Sequence, residues 1–133
     1  MGQSQPRAPK LLVVEDDAVS HCIVAASLRR RGFDVVSAKE AAEAIRILQD
    51  DDEIELVFSD VVMPGEMDGT RLQTWIHINR PGLPVILGSA DPSKAPTTDE
   101  KSRFFAKPYN MEAVAACIRD LVGSSEQADG RGH

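Results

Sequence analysis

Four short apolar runs in this chain each end in a residue that can do chemistry. Lys10 to Val14 ends abruptly in Glu15-Asp16-Asp17, and Ile54 to Ser59 ends in Asp60. Pro84 to Leu87 leads to Ser89, and Arg103 to Ala106 closes on Lys107. If the runs ending in Glu15-Asp16 and in Asp60 are neighbouring strands, three carboxylates converge within a few ångströms. Like charges that close need a cation or a raised pKa. A hard divalent ion with oxygen ligands is the natural answer, and Mg2+ is favoured because it keeps positions open for water and phosphate. A lysine in the same basin adds a second positive centre. An acceptor carboxylate, a metal, an ammonium and a hydroxyl donor together suit phosphoryl transfer, where positioning and charge neutralisation supply most of the catalysis.

Elements must bring these residues together. The four runs are short, β-branched and sharply bounded, as buried strands are, and Phe33 to Val36 reads as a fifth. Between them lie helical patterns: Val19, Cys22, Ile23 and Ala26, stopped at Gly32; Ala41, Ala44, Ile45 and Leu48; then Leu72, Trp75, Ile76 and Asn79. Met111, Val114, Ala115, Ile118, Leu121 and Val122 form the last. The stretch from Asp91 to Glu100 holds Pro92 and Pro96 and no apolar stripe, so the fourth helix of the alternation is short or irregular. Five strand-helix units argue for an α/β fold with a parallel sheet and helices on both faces. In such sheets ligands sit beyond the carboxyl ends of the strands.

With 133 residues there is room for one domain with a proper core. It is expected over residues 10–122, after a flexible leader (1–9) and before a flexible Gly- and Ser-rich tail (123–133). The net charge of −6 argues against nucleic acid as a direct partner. Arg29-Arg30-Arg31 sits where a helix ends and complements its dipole. No run approaches the roughly 18–20 apolar residues of a membrane span, and no signal peptide is present, which together read as cytoplasmic. Cys22 and Cys117 lack metal-like spacing and read as small buried hydrophobes. His21 reads as an exposed surface residue, Asp17 as a helix cap, and Asp68-Gly69 as turn chemistry.

Taken in order, Val13 to Asp17, Phe58 to Gly65, Met67-Asp68-Gly69, Ser89-Ala90 and Lys107-Pro108 resemble the signature of response-regulator receiver domains of two-component signalling, from about Lys10 to Val122. The resemblance implies a doubly wound five-stranded parallel sheet in the order 2-1-3-4-5. It implies that Asp60 is the phosphoacceptor, taking a phosphoryl group from the phosphohistidine of a sensor histidine kinase or a histidine phosphotransfer protein. Asp16 is then the direct Mg2+ ligand beside Asp60, Glu15 acts mostly through water, and the Val62 carbonyl is the third protein ligand. Lys107 pairs with the phosphate across a cis bond to Pro108. Ser89 is the switch hydroxyl, and Phe104, three residues before the lysine, is the aromatic switch. The downstream protein partner is unknown.

Departures and rivals matter too. Ser stands where Thr is commoner, and the gap of 18 positions from Ser89 to Lys107 is a few short of the usual one. Val61 to Gly65 and the short fourth helix resemble receivers attached to hybrid kinases. A phosphatase of the haloacid dehalogenase type needs Asp-x-Asp at a strand end, whereas Asp60 is followed by Val61-Val62; no nucleotide loop is present either. A phosphorylation-independent interaction module on the same fold is the remaining alternative, and the joint presence of Asp16, Asp60, Ser89 and Lys107 argues against it.

Overall fold

The structure, a computed structural model, describes residues 8–63, 67–96 and 99–130, with side-chain surroundings as far as Gly123. Pro64 and Gly65 of the acceptor loop, most of the leader and the last three residues of the tail lie outside these. The elements are β1 (Lys10–Val14), α1 (Ala18–Arg30), β2 (Asp34–Ala38), α2 (Ala41–Asp50), β3 (Leu56–Asp60), α3 (Gly69–Asn79), β4 (Val85–Ser89), β5 (Ser102–Ala106) and α4 (Met111–Gly130). All strands pair in parallel in the order β2-β1-β3-β4-β5. Between β4 and β5 the only helical residues described are one 3-10 turn, Pro92–Lys94, as the two prolines demand. The last helix runs past Val122 to Gly130.

Because side chains alternate across a strand, each central strand feeds two apolar layers. Leu11 and Val13 of β1, Leu56 and Phe58 of β3 and Ile86 of β4 face one way, against Val24, Ala25 and Leu28 of α1 and Val114, Ile118 and Leu121 of α4. Leu12, Val14, Val57, Val85 and Leu87 face the other way, against Ala41, Ala44 and Leu48 of α2 and Leu72 and Ile76 of α3. Trp75 packs at the edge of that second layer. Gly32 stops α1 with a φ of +97°, a conformation glycine adopts freely.

The buried face of α1 differs from the expected one. Residues 19, 22, 23 and 26 and residues 21, 24, 25 and 28 both satisfy helical spacing, and the helix buries the second set around Leu28. Val19 and Ile23 are left 67% and 61% exposed, and Cys22 is exposed as well. Cys117 is half-buried in the first layer. His21 is half-buried rather than free at the surface, its Nε2 lying 2.6 Å from the Ser37 hydroxyl of β2. Arg31 reaches back to the Ser27 hydroxyl at 2.7 Å, so part of the basic run closes the helix end.

The rotation of α1 makes two substitutions diverge. Leu28→Ala is expected to lower unfolding free energy by about 2–5 kcal/mol in urea titrations, and Ile23→Ala to change it by less than about 0.5 kcal/mol. Equal losses at the two positions would place the wrong face inward.

Candidate functional site

Parallel pairing sets the geometry. Val14 pairs with Ser59 and Asp60 with Gly88, so the residue after β1 stands beside the last residue of β3. The Glu15 N–H donates to the Ala38 carbonyl at 3.0 Å, which extends the ladder by one residue and fixes Glu15 at the carboxyl edge. Asp17 caps α1 by accepting from the Ser20 N–H at 2.9 Å. Its own N–H donates to Glu15 Oε2 at 3.0 Å. On the far side, the Lys107 N–H donates to the Ser89 carbonyl at 3.0 Å, and the Lys107–Pro108 bond is cis.

These placements bring together four of the expected site residues. Ligand oxygens of Glu15, Asp16 and Asp60 all lie within 4.8 Å of one another. Lys107 Nζ reaches Asp60 Oδ1 at 2.7 Å and Glu15 Oε1 at 3.3 Å. Glu15 and Asp60 are each only 7% exposed, whereas Asp16 is open to solvent. Burial pushes the Asp60 carboxyl up to about 7, and contact with the Glu15 carboxyl adds to the rise while Lys107 opposes it. Burial works against the Lys107 ammonium, yet the bond to Asp60 and the charges of Asp60 and Glu15 outweigh it and raise its pKa. Three hard oxygen donors in partial charge conflict, one of them solvent-facing, are a donor set that fits a divalent cation.

The remaining expected residues are Ser89, Val62 and Phe104. Ser89 follows Gly88, the register partner of Asp60, but its Oγ accepts from the Asp91 N–H at 3.1 Å and so faces its own loop. The Val62 side chain is exposed at the lip of the site. Phe104 of β5 packs half-buried on the second apolar layer.

Four further residues shape the site. Gly69 begins α3 pressed on the acceptor loop: its N–H donates to the Val61 carbonyl at 2.7 Å, and a Cβ there would overlap the Asp60 carbonyl oxygen. Asp68 caps the same helix, accepting from the Arg71 N–H at 3.0 Å, so this pair does more than turn the chain. Gly88 and Tyr109 form the other wall, and a Cβ on Gly88 would overlap the Tyr109 hydroxyl. An aromatic residue two places after Lys107 was a signal available in the sequence; a close approach at Gly88 was not, since its partner lies 21 positions away.

The family model described as the response regulator receiver domain matches residues 11–119. The chain belongs to that family. Among its relatives, the transcriptional regulatory protein GlrR of Escherichia coli (strain K12) is 34% identical over 122 residues, covering 89% of this chain and 27% of GlrR. The sensor kinase CckA of Brucella abortus (strain 2308) is 34% identical over 120 residues, covering 86% of this chain and 12% of the kinase. The receiver domain therefore spans about a quarter or less of these relatives. Among solved structures, the signal receiver domain of an HD domain-containing protein from Pseudomonas fluorescens Pf-5 superposes with a TM-score of 0.82 at 25% identity, covering 98% of both chains. The receiver is thus a domain of two-component systems, a phosphoacceptor class rather than a classical enzyme. No helix among the described residues is long and apolar enough to cross a membrane.

The raised Asp60 carboxyl gives this receiver a pH signature. In metal-free buffer the folded state holds a proton on Asp60 that the unfolded chain releases near the ordinary value of 3.8. This contribution to stability is full below that value and is lost as pH rises through about 7. Thermal melts should show Asp60→Asn more stable than the parent above neutral pH, with the gap closing as pH falls. A gap that is constant over that range contradicts the shift.

Proposed function

We propose that Asp60 accepts a phosphoryl group from the phosphohistidine of a sensor histidine kinase or a histidine phosphotransfer protein, and that the product aspartyl phosphate changes which protein the receiver binds. The observation that carries this reading is the 2.7 Å ion pair of Lys107 with Asp60, within a basin where three carboxylates meet. A carboxylate oxygen of Asp60 attacks phosphorus while the bond from phosphorus to the histidine nitrogen breaks, and the imidazole leaves with the electron pair. Lys107, already at the acceptor, is placed to pair with a phosphoryl oxygen as charge develops.

Asp16 and Asp60 would hold Mg2+ directly, with Glu15 acting through water and the Val62 main-chain carbonyl completing the protein ligands. Bound there, the ion would supply charge neutralisation of the incoming phosphoryl oxygens. Ser89 must give up its bond to the Asp91 N–H before its hydroxyl can donate to a phosphate oxygen. Phe104, half-buried on β5 beside Leu87 of β4, would then follow into the vacated space. Residues 10–122 are the unit assigned to this chemistry, working in the cytoplasm where kinase phosphohistidine is found. GlrR is named a transcriptional regulator and CckA a sensor kinase; attachment to either kind of neighbour is compatible with this site.

Incubation with acetyl phosphate, with and without magnesium, tests the acceptor by intact mass. The expected result is a magnesium-dependent gain of one phosphoryl group that is absent in Asp60→Asn. No gain from any small donor, together with no magnesium binding, would sink the proposal.

The lifetime of the labelled form carries a second expectation. Val62 has no group to orient an attacking water, and the Asp91 carboxylate is already engaged by the Ser93 N–H at 3.0 Å and its hydroxyl at 2.7 Å. Self-dephosphorylation at neutral pH should therefore be slow to moderate, and Val62→Glu should hasten it. Loss of the label within seconds in the parent would contradict this account.

A further inference from the structure

Tyr109 is the only tyrosine of the chain, and it stands against the acceptor. Its ring is tilted on Phe58 with centroids 5.1 Å apart, and the Lys107 ammonium lies 5.9 Å from its centroid. With Val14, Glu15, Phe58 and Asp60 it lines a small cleft at the carboxyl edge of the sheet. The hydroxyl projects over Gly88 so closely that a Cβ there would overlap it. Gly88 is the register partner of Asp60 on the neighbouring strand, and its carbonyl accepts from the Val61 N–H at 2.9 Å. The absent side chain at Gly88 is therefore what admits the phenol to the acceptor's flank.

We infer that the Tyr109 hydroxyl donates a hydrogen bond to the Asp60 carboxylate and acts as a positioning residue for the acceptor, with Gly88 as the position that makes room for it. Packing on Phe58 alone needs only a ring. The hydroxyl stands over Gly88, opposite Asp60 in the sheet, and lies in the same cleft as the Asp60 and Glu15 side chains. A carboxylate offers about four lone-pair sites, so Lys107 on Oδ1 leaves space for a second donor. Two donors from different directions fix the plane of the carboxyl group, which free rotation about its last bond would otherwise leave loose. A nucleophile held in one plane starts closer to its attack geometry.

This inference rests on Asp60 being the acceptor. The full chain and its Tyr109→Phe, Gly88→Ala and Asp60→Asn variants are compared by three measurements. These are the initial rate of labelling by acetyl phosphate across magnesium concentrations, the thermal midpoint, and the ring signals of the single tyrosine by 13C NMR. Tyr109→Phe should label about 3- to 10-fold more slowly at saturating magnesium, the equivalent of one hydrogen bond. Its magnesium half-saturation and thermal midpoint should match the parent's. The tyrosine signal should move in both Asp60→Asn and Gly88→Ala, and Gly88→Ala, which must displace the ring, should lose both rate and stability.

A Tyr109→Phe variant that labels at the parent's rate or faster overturns the inference. So does a tyrosine signal unmoved in Asp60→Asn, or a slower label matched by an equal fall in thermal midpoint, which would mean ring packing alone. In each of those cases a labelled parent and an unlabelled Asp60→Asn leave the acceptor assignment standing. An unlabelled parent removes the acceptor assignment itself and the positioning role with it.

Discussion

Repulsion among carboxylates at the carboxyl edge of β1 and β3 is the constraint around which this molecule is arranged. Glu15 and Asp60 are buried side by side, and in a medium less polar than water two such groups cannot both ionise freely. The conflict is contained by Lys107, delivered from the far side of the sheet by β5. In the order β2-β1-β3-β4-β5, the residue after β5 reaches back past the end of β4 to the carboxylates at the ends of β1 and β3. The sheet tolerates the acidic cluster because the two apolar layers beneath it bury some ten side chains from three central strands. Removing a charge at the rim should relax the protein, and adding a cation should do the same.

Glycine gives the site its tightness. A neighbouring group can press closest on a backbone where the side chain is missing, and both close walls of the site are built that way. Gly69 lets α3 start directly on the acceptor loop, so that the helix braces the peptide carrying Asp60. Gly88 lets a phenol stand where an alanine methyl group would collide. Both replace flexibility in the acceptor's surroundings with contact from rigid elements, which suits a group that must present one oxygen in one direction.

Much of this arrangement was legible before any coordinates. The carboxylates after the first and third strands, the lysine after the fifth and the proline-broken stretch between Asp91 and Glu100 all lie in short local runs whose meaning is independent of distant partners. What escaped reading depended on choices made across the fold. Along α1, two interleaved apolar stripes fit the same period, and the bulk of Leu28 against the sheet decides between them, so Cys22 and Ile23 come out exposed. The partnership of His21 with Ser37 joins a helix to the next strand and leaves no trace in the spacing of either. Tyr109 and Gly88 are meaningful only as a pair, and the pair exists only because β4 and β5 are adjacent.

The two apolar layers also divide the chain's chromophores. Tyr109 belongs to the layer under α1 and α4, and the single tryptophan, Trp75, to the layer under α2 and α3. The sheet separates them, so each probe senses the melting of a different half of the core. Cooperativity between the halves then becomes directly visible: coincident loss of both signals marks one all-or-none unit, and a lag between them marks a state in which one layer survives the other. The scarcity of aromatic residues, which leaves these layers to Leu, Val and Ile, is what makes each half separately readable.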